Sequence, residues 1–192
     1  MARTIAKDHE EKRQAILKTA AAFFAKHGFD RASMGKLAEA CGVSKALIYH
    51  YYPSKDALLF DILDTYLTAL AEVVEDAAGA QDLAGQGRLR RVIRAVLLAY
   101  RDSDAEHKVQ LDALSSLPEE DQKHLRALQR RMVAVMSDCI RAVAPERFTE
   151  RPELVVPVTM SVFAMLNWFY LWHKPGGAVD RDAYADIVTD LV

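Results

Sequence analysis

From Ser44 to Tyr52 the chain reads SKALIYHYY, which sets an ammonium (Lys45), a phenol (Tyr49) and an imidazole (His50) on one short stretch. Such groups donate hydrogen bonds to phosphate oxygens and base edges. A short helix that carries them behind a basic first residue suits the DNA major groove. Other chemistries find less support. The histidines at 9, 27, 50, 107, 124 and 173 contain no i, i+3 or i+4 pair, so no helix-borne metal site is expected. No glycine-rich phosphate loop, nucleophile elbow or Ser/His/Asp grouping stands in the sequence. The expectation is a protein with no catalytic residue, no metal and no cofactor.

These side chains need a helix held with one face outward. Ser33 is an N-cap candidate for a short helix to about Ala40, ended by Cys41-Gly42, and Ser44 caps a second over Lys45–Tyr51. Helix, tight turn, helix is a helix-turn-helix unit. Leu37, Ala38 and Cys41 are expected to face inward, Val43 to plug the turn, and Ile48 and Tyr52 to anchor the second helix. That leaves Lys45, Ala46, Leu47, Tyr49 and His50 toward solvent, although Tyr49, next to Ile48, also fits a purely structural aromatic. Ahead of the pair, a helix over about 8–27 carries the stripe Ile16, Ala20, Phe23, Phe24 and closes on Gly28. Behind it, Ser54 caps a long helix over about 55–78 with no internal Gly or Pro, a stiff lever.

The rest is helical too. Residues 79–87 read as a loop, and helices follow at about 88–101, 104–115, 118–143 (ended by Pro145) and 152–173, the last stopped by Lys174-Pro175-Gly176-Gly177. Asp180 caps a final helix that runs toward Val192 without a C-cap, as a truncated helix would. Strand-like alternation and hairpin turns are absent. The fold class is all-α with about nine helices: an N-terminal domain of three helices, residues 1–54, and a larger helical domain, residues 55–192.

With 192 residues, 51% apolar and 27% charged, the chain has the balance of a folded soluble protein. Its net charge of −2 conceals a split: residues 1–55 hold 10 Lys/Arg against 5 Asp/Glu, and the remainder 15 against 22. Only the front is suited to a polyanion. Cys41 and Cys139, 98 positions apart, form neither a disulfide framework nor a zinc pattern, which favours a reducing, cytoplasmic setting. The N-terminus lacks the apolar run of a secretion signal. Residues 154–172 carry no charge over a length close to a membrane span, but Pro157, Thr159, Ser161 and Asn167 interrupt them. The preferred reading is no membrane, with one face of this helix on its own core and the other on a partner subunit.

The run Phe-Phe-Ala-Lys-His-Gly that ends the first helix, Gly42-Val43-Ser44-Lys45, Ile48-Tyr49-x-Tyr51-Tyr52 and Ser54-Lys55-x-x-Leu58 together resemble the DNA-binding domain of the TetR/AcrR family of bacterial transcription regulators. The resemblance covers about the first quarter of the chain. It implies a homodimer on double-stranded operator DNA, with recognition helices in successive major grooves. Ser33, Lys45, Tyr51 and Lys55 would touch phosphates, and Ala46, Leu47, Tyr49 and His50 would lie near base edges. Ala46 stands where the family often has Gly, and Leu47 where it often has a small or hydroxyl residue. Leu47 can pack on a thymine methyl but cannot hydrogen-bond a base, so more is left to phosphate contacts and DNA shape.

The body is rich in material for an effector pocket. Met132 and Met136 share a helix face with Leu125, Leu128 and Cys139, and the uncharged helix carries Met160, Phe163, Asn167, Trp168 and Tyr170. These side chains are either plain core or the wall of a cavity with Tyr100, Asn167 or Tyr170 as its polar groups. Asn167 fits a pocket and a dimer interface through the last two helices equally. Arg90, Arg94 and Arg101 share one helix face, either solvated or gripping a ligand's anionic end, Arg94 foremost. The segment 167–177 is similar to C-terminal segments of family members tied to fatty-acid or aryl-acid catabolism, some of which sense acyl-CoA thioesters. The expectation is a ligand-responsive repressor. Its rivals are a helical binding protein or enzyme with a vestigial helix-turn-helix, and a DNA binder or activator without an effector.

Overall fold

Apolar stripes at helical spacing dictate helices, and among the residues that the computed structural model describes (2–80, 83–174 and 176–192) the regular structure is entirely helical. The helices are α1 (Ala2–His27), α2 (Met34–Ala40), α3 (Lys45–Tyr51), α4 (Lys55–Gly79), α5 (Gly85–Ala99), α6 (Asp104–Ala113), α7 (Glu119–Val143), α8 (Pro145–Glu150), α9 (Val155–Trp172) and α10 (Arg181–Asp190). Short 3₁₀ turns stand at Leu114–Ser116 and Pro152–Leu154.

The cap signals act as their chemistry requires. Ser44 Oγ accepts from the Leu47 N–H at 3.1 Å, Ser54 Oγ from Ala57 at 3.0 Å, and Asp180 from Ala183 at 2.8 Å. Gly28 and Gly42 close α1 and α2 at φ +81° and +65°, a left-handed backbone that glycine adopts without strain. Some boundaries differ from expectation. Pro145 does not merely end α7; it opens α8 in the first turn, where its missing N–H leaves no bond unmade, and α8 buries Phe148. The expected loop at 79–87 is shorter, because α5 begins at Gly85; Gln81 and Asp82, like Pro175 of the expected stop, lie outside the described residues. Helix α10 stops at Asp190, with Leu191 as its C-cap.

Packing divides the chain into two compact units. The first comprises residues 1–67 and 103–125. Here α1 buries Ile16, Leu17, Ala20, Ala21 and Phe24, and it packs along α6 and onto α2. The small α2–α3 pair cannot cover so wide a stripe. Leu58, Leu59, Ile62 and Leu63 of α4 and Val109 and Ala113 of α6 are buried in the same unit. The packing boundary therefore falls elsewhere than between 54 and 55.

The second unit comprises residues 68–102 and 126–192. Helix α5 buries Leu89, Val92, Ile93, Val96 and Leu97, and it packs on α10 and α9. Its arginines are neither a bare solvated face nor a free anion grip. Arg90 and Arg94 pair with Asp186 and Asp182 of α10, while Arg101 lies exposed in the turn beyond α5. Arg88 and Arg91 donate to the carbonyls of Ala78 (2.8 Å) and Ala77 (2.9 Å), which satisfies acceptors that the end of α4 leaves open. Helix α9 buries Val155, Thr159, Val162, Phe163, Leu166 and Phe169, and the Thr159 hydroxyl meets Ser137 of α7 at 2.9 Å. By length and composition Pro152–Trp172 is apolar enough to cross a membrane, yet one face of it is a packed wall of this unit. The other face leaves Val156, Met160, Trp168 and Leu171 at least half exposed.

Two substitutions separate core from surface in the second unit. Ile93→Ala, at a position with no exposure, should lower unfolding free energy by about 2–5 kcal/mol. The neighbouring Arg94→Ala should cost no more than about 1 kcal/mol, because its ion pair with Asp182 faces solvent. Urea denaturation followed by circular dichroism measures both.

Candidate functional site

The site is built on α3, whose seven residues have too little surface to hold themselves in place. Ile48 is fully buried and Tyr52, the C-cap, nearly so. The Tyr52 hydroxyl donates to Asp61 of α4 at 2.6 Å. Arg13 of α1 grips the same carboxylate through Nε (2.9 Å) and Nη2, and also reaches Thr65 Oγ1 at 3.2 Å. One half-buried carboxylate thus joins three helices. Burial and the neighbouring carboxylate push the Tyr52 phenol well above its ordinary pKa, so it stays a donor. The sequence marks Tyr52 as an anchor of α3 but gives no sign of Arg13, Asp61 and Thr65. Arg13 and Asp61 lie 48 positions apart, and no local pattern joins them.

With α3 anchored, its outward residues can be placed. Lys45, Ala46, Tyr49 and His50 are exposed, as expected, with Tyr49 at 52%. That exposure disfavours a purely structural Tyr49. Leu47 is a correction: it is half-buried, on the flank of the face that Ile48 buries. Cys41, expected to face inward, is also only half-buried, and burial pushes its thiol pKa upward. Tyr51 and Lys55 are not free on the surface. Tyr51 stacks on His9 of α1 with ring centroids 4.6 Å apart. Lys55 donates to the Phe29 carbonyl at 3.0 Å and lies over the Phe29 ring. Ser33 is exposed, and its Oγ accepts from the Lys36 N–H at 3.4 Å.

Electrostatics sets this surface apart. No Asp or Glu occurs between Ala40 and Lys55. Several arginines and lysines elsewhere find carboxylates, as Arg131 does with Glu75 and Lys123 with Glu120. Among the described residues no ion pair holds Lys26, Arg31, Lys36 or Lys45. Lys26, His27, Arg31 and Lys36 line a surface groove of about 550 Å³ with Phe23 and Glu39. A cationic face without internal counter-ions is suited to an external polyanion.

The proposed effector residues all belong to the second unit. The Tyr100 hydroxyl donates to Asn167 Oδ1 at 2.8 Å, so the amide in the uncharged helix has a partner within its own subunit. Burial holds the Tyr100 phenol far above its usual pKa, keeping it neutral. Met132, Met136 and Phe163 are buried core side chains, and Tyr170 is half-buried. Arg94 is not brought among them: it stands on the exposed face of α5 and is engaged by Asp182.

Comparison with known proteins agrees with this geometry. Residues 16–62 match the family model for bacterial regulatory proteins of the tetR family, and residues 82–192 match that of the tetracyclin repressor-like C-terminal domain. A TetR-family transcriptional regulator from Bordetella parapertussis 12822 superposes with a TM-score of 0.86 at 35% identity, covering 93% of this chain and 92% of that one. The structure of AibR in complex with isovaleryl coenzyme A and operator DNA gives 0.78 at 27% identity, covering 94% and 97%. Among curated relatives, the HTH-type transcriptional regulator YerO of Bacillus subtilis (strain 168) is 36% identical over 73 residues, which is 36% of this chain and 25% of YerO. The chain thus aligns with about a quarter of that relative's length.

The anchoring network has a measurable worth. Tyr52→Phe keeps the ring and should lower stability by about 1–2 kcal/mol. Asp61→Ala, which strands the half-buried Arg13 guanidinium and the Tyr52 hydroxyl together, should cost about 3 kcal/mol. Denaturant titration of the three proteins checks the order.

Proposed function

Because the chain belongs to the tetR family of bacterial regulatory proteins, we propose that it is a cytoplasmic, non-catalytic transcriptional repressor that binds a palindromic operator as a homodimer and leaves it when a small molecule binds. The observation that carries this reading is the exposed, carboxylate-free face of α3, anchored from behind by Ile48 and Tyr52. In this reading α3 enters the major groove. Tyr49 and His50 meet base edges, with Ala46 and Leu47 beside them, and Ser33 and Lys45 meet phosphates. Tyr51 and Lys55 add phosphate contacts while holding α1 and the Phe29 carbonyl. Residues 1–54 carry the DNA-binding role and 55–192 the effector and dimer roles.

The dimer partner is a second copy. Val156, Met160, Trp168 and Leu171 of α9 are exposed apolar side chains, as are Ile187 of α10 and its C-cap Leu191. An apolar surface of this kind, repeated on two copies by a two-fold axis, is self-complementary. The same axis would set the two α3 helices about 34–36 Å apart, one turn of B-DNA.

For the effector, the solved AibR complex contains isovaleryl coenzyme A, and an acyl thioester is the ligand class proposed for this chain. Tyr100, Asn167, Tyr170, Met132, Met136 and Phe163 would receive the acyl part. An anionic end could recruit Arg94 only in competition with Asp182. Helix α4 runs unbroken from Lys55 into the second unit, so a ligand that favours another tilt of α4 would alter α3 spacing.

Three measurements test this reading. On a duplex selected from a random library by the protein itself, Tyr49→Ala should cost about 1–3 kcal/mol and relax sequence preference, whereas Lys45→Ala should weaken all sequences alike. Parent-like binding by both variants would remove α3 from the interface. Sedimentation at micromolar concentration should show a dimer, and Trp168→Glu should yield monomers. Isovaleryl-CoA titrated with and without the selected duplex should show affinities that differ by the same factor by which it weakens DNA binding. Equal affinities would mean that it is not the inducer.

A further inference from the structure

Gly35 is the second residue of α2, and nothing in its backbone calls for glycine there: its φ is not in the left-handed region. Glycine is among the weakest helix formers, so its presence inside a seven-residue helix asks for a reason. The reason lies in what occupies the missing side chain's place. A Cβ built on Gly35 would stand 2.9 Å from Lys45 Cε and 3.4 Å from Lys45 Nζ. The first of these is closer than real Cβ atoms come. The Lys45 stem therefore crosses from the start of α3 and rests on the bare backbone of α2.

We infer that Gly35 is a positioning residue for DNA binding: its missing side chain seats the Lys45 stem on α2 and so presents the ammonium to a DNA backbone phosphate. The inference deepens the DNA-binding reading above and rests on it. A free lysine has several rotatable bonds to immobilise on binding; one already lying in a seat has less freedom to lose. No ion pair holds Lys45 among the described residues, so the seat does not serve an internal carboxylate. The contact is also with the far end of a flexible chain. An added methyl would evict Lys45 without breaking the fold, which separates positioning from stability.

The experiment is a double-mutant cycle on a random-sequence 30-base-pair duplex, with affinity read by fluorescence anisotropy across a salt series. The variants are Gly35→Ala, Lys45→Met, which keeps most of the stem and removes the charge, and the pair combined. Gly35→Ala should bind roughly 5–10-fold more weakly than the parent, as expected when one ammonium in each subunit no longer holds its phosphate. In the Lys45→Met background the same change should have no effect. Its melting temperature should equal or exceed the parent's, because alanine favours helix. Gly35→Ser repeats the cycle with a second small side chain. Parent-like binding by Gly35→Ala overturns the inference, and so does an equal weakening in both backgrounds. A parent that does not bind the duplex at all overturns the DNA-binding reading itself, a result distinguishable from either.

Discussion

The Asp61 carboxylate is the point on which the first unit turns. It receives a guanidinium from α1, a phenol from the end of α3 and a threonine hydroxyl from its own helix. A seven-residue helix has no independent stability, and its apolar anchor, Ile48, fixes depth but not rotation. Directional bonds at Tyr52 supply the second constraint. Hydrogen bonds to a charged acceptor are shorter and stronger than neutral ones, and Arg13 pairs in the forked geometry that suits a carboxylate. The outward residues of α3 have a defined direction only because this inward end is held.

Rigidity of that kind is paired with an undersupply of counter-ions. In the second unit Arg90, Arg94 and Arg131 meet carboxylates on neighbouring helices, and their charge is spent inside the protein. In the first unit Lys26, Arg31, Lys36 and Lys45 are not neutralised in this way among the described residues. The overall charge is nearly balanced, so what matters is where balance is withheld. Helix α9 shows the same logic in apolar terms. Its buried face completes the core of its own unit, while its other face leaves Trp168 and Leu171 exposed.

Most of the fold was legible because its signals are local. Ser44, Ser54 and Asp180 cap the helices they precede in the sequence, and Gly28 and Gly42 close the ones before them. The outward set Lys45, Ala46, Tyr49 and His50 follows from placing Ile48 inward on a helix of ordinary pitch. What escaped depends on distance along the chain. Asp182 and Asp186 lie 88 and 96 positions from Arg94 and Arg90, so a stripe of arginines on α5 could be read for its face but not for its partners. The same holds for His9 beneath Tyr51 and Phe29 beneath Lys55. Leu47 was misplaced for another reason: helical geometry sorts residues into faces, but residues on the flank are sorted by their neighbours. Pro145 was read as a stop when its position in the first turn made it equally a start.

The buried hydroxyls of Ser137 and Thr159 join α7 to α9, two helices whose other buried residues are almost all apolar. Apolar surfaces are forgiving: two greasy helices pack almost as well after sliding one turn. A hydroxyl pair between them is less forgiving, since any other alignment would break the bond between Ser137 and Thr159. Thr159 already returns a bond to the Val155 carbonyl at 2.8 Å, so the pair keys one register between the helices and leaves the surrounding side chains at liberty to change. A lineage could thus remodel the interior around α9 for different molecules, residue by residue, while the frame that holds the outer face of α9 stays in alignment.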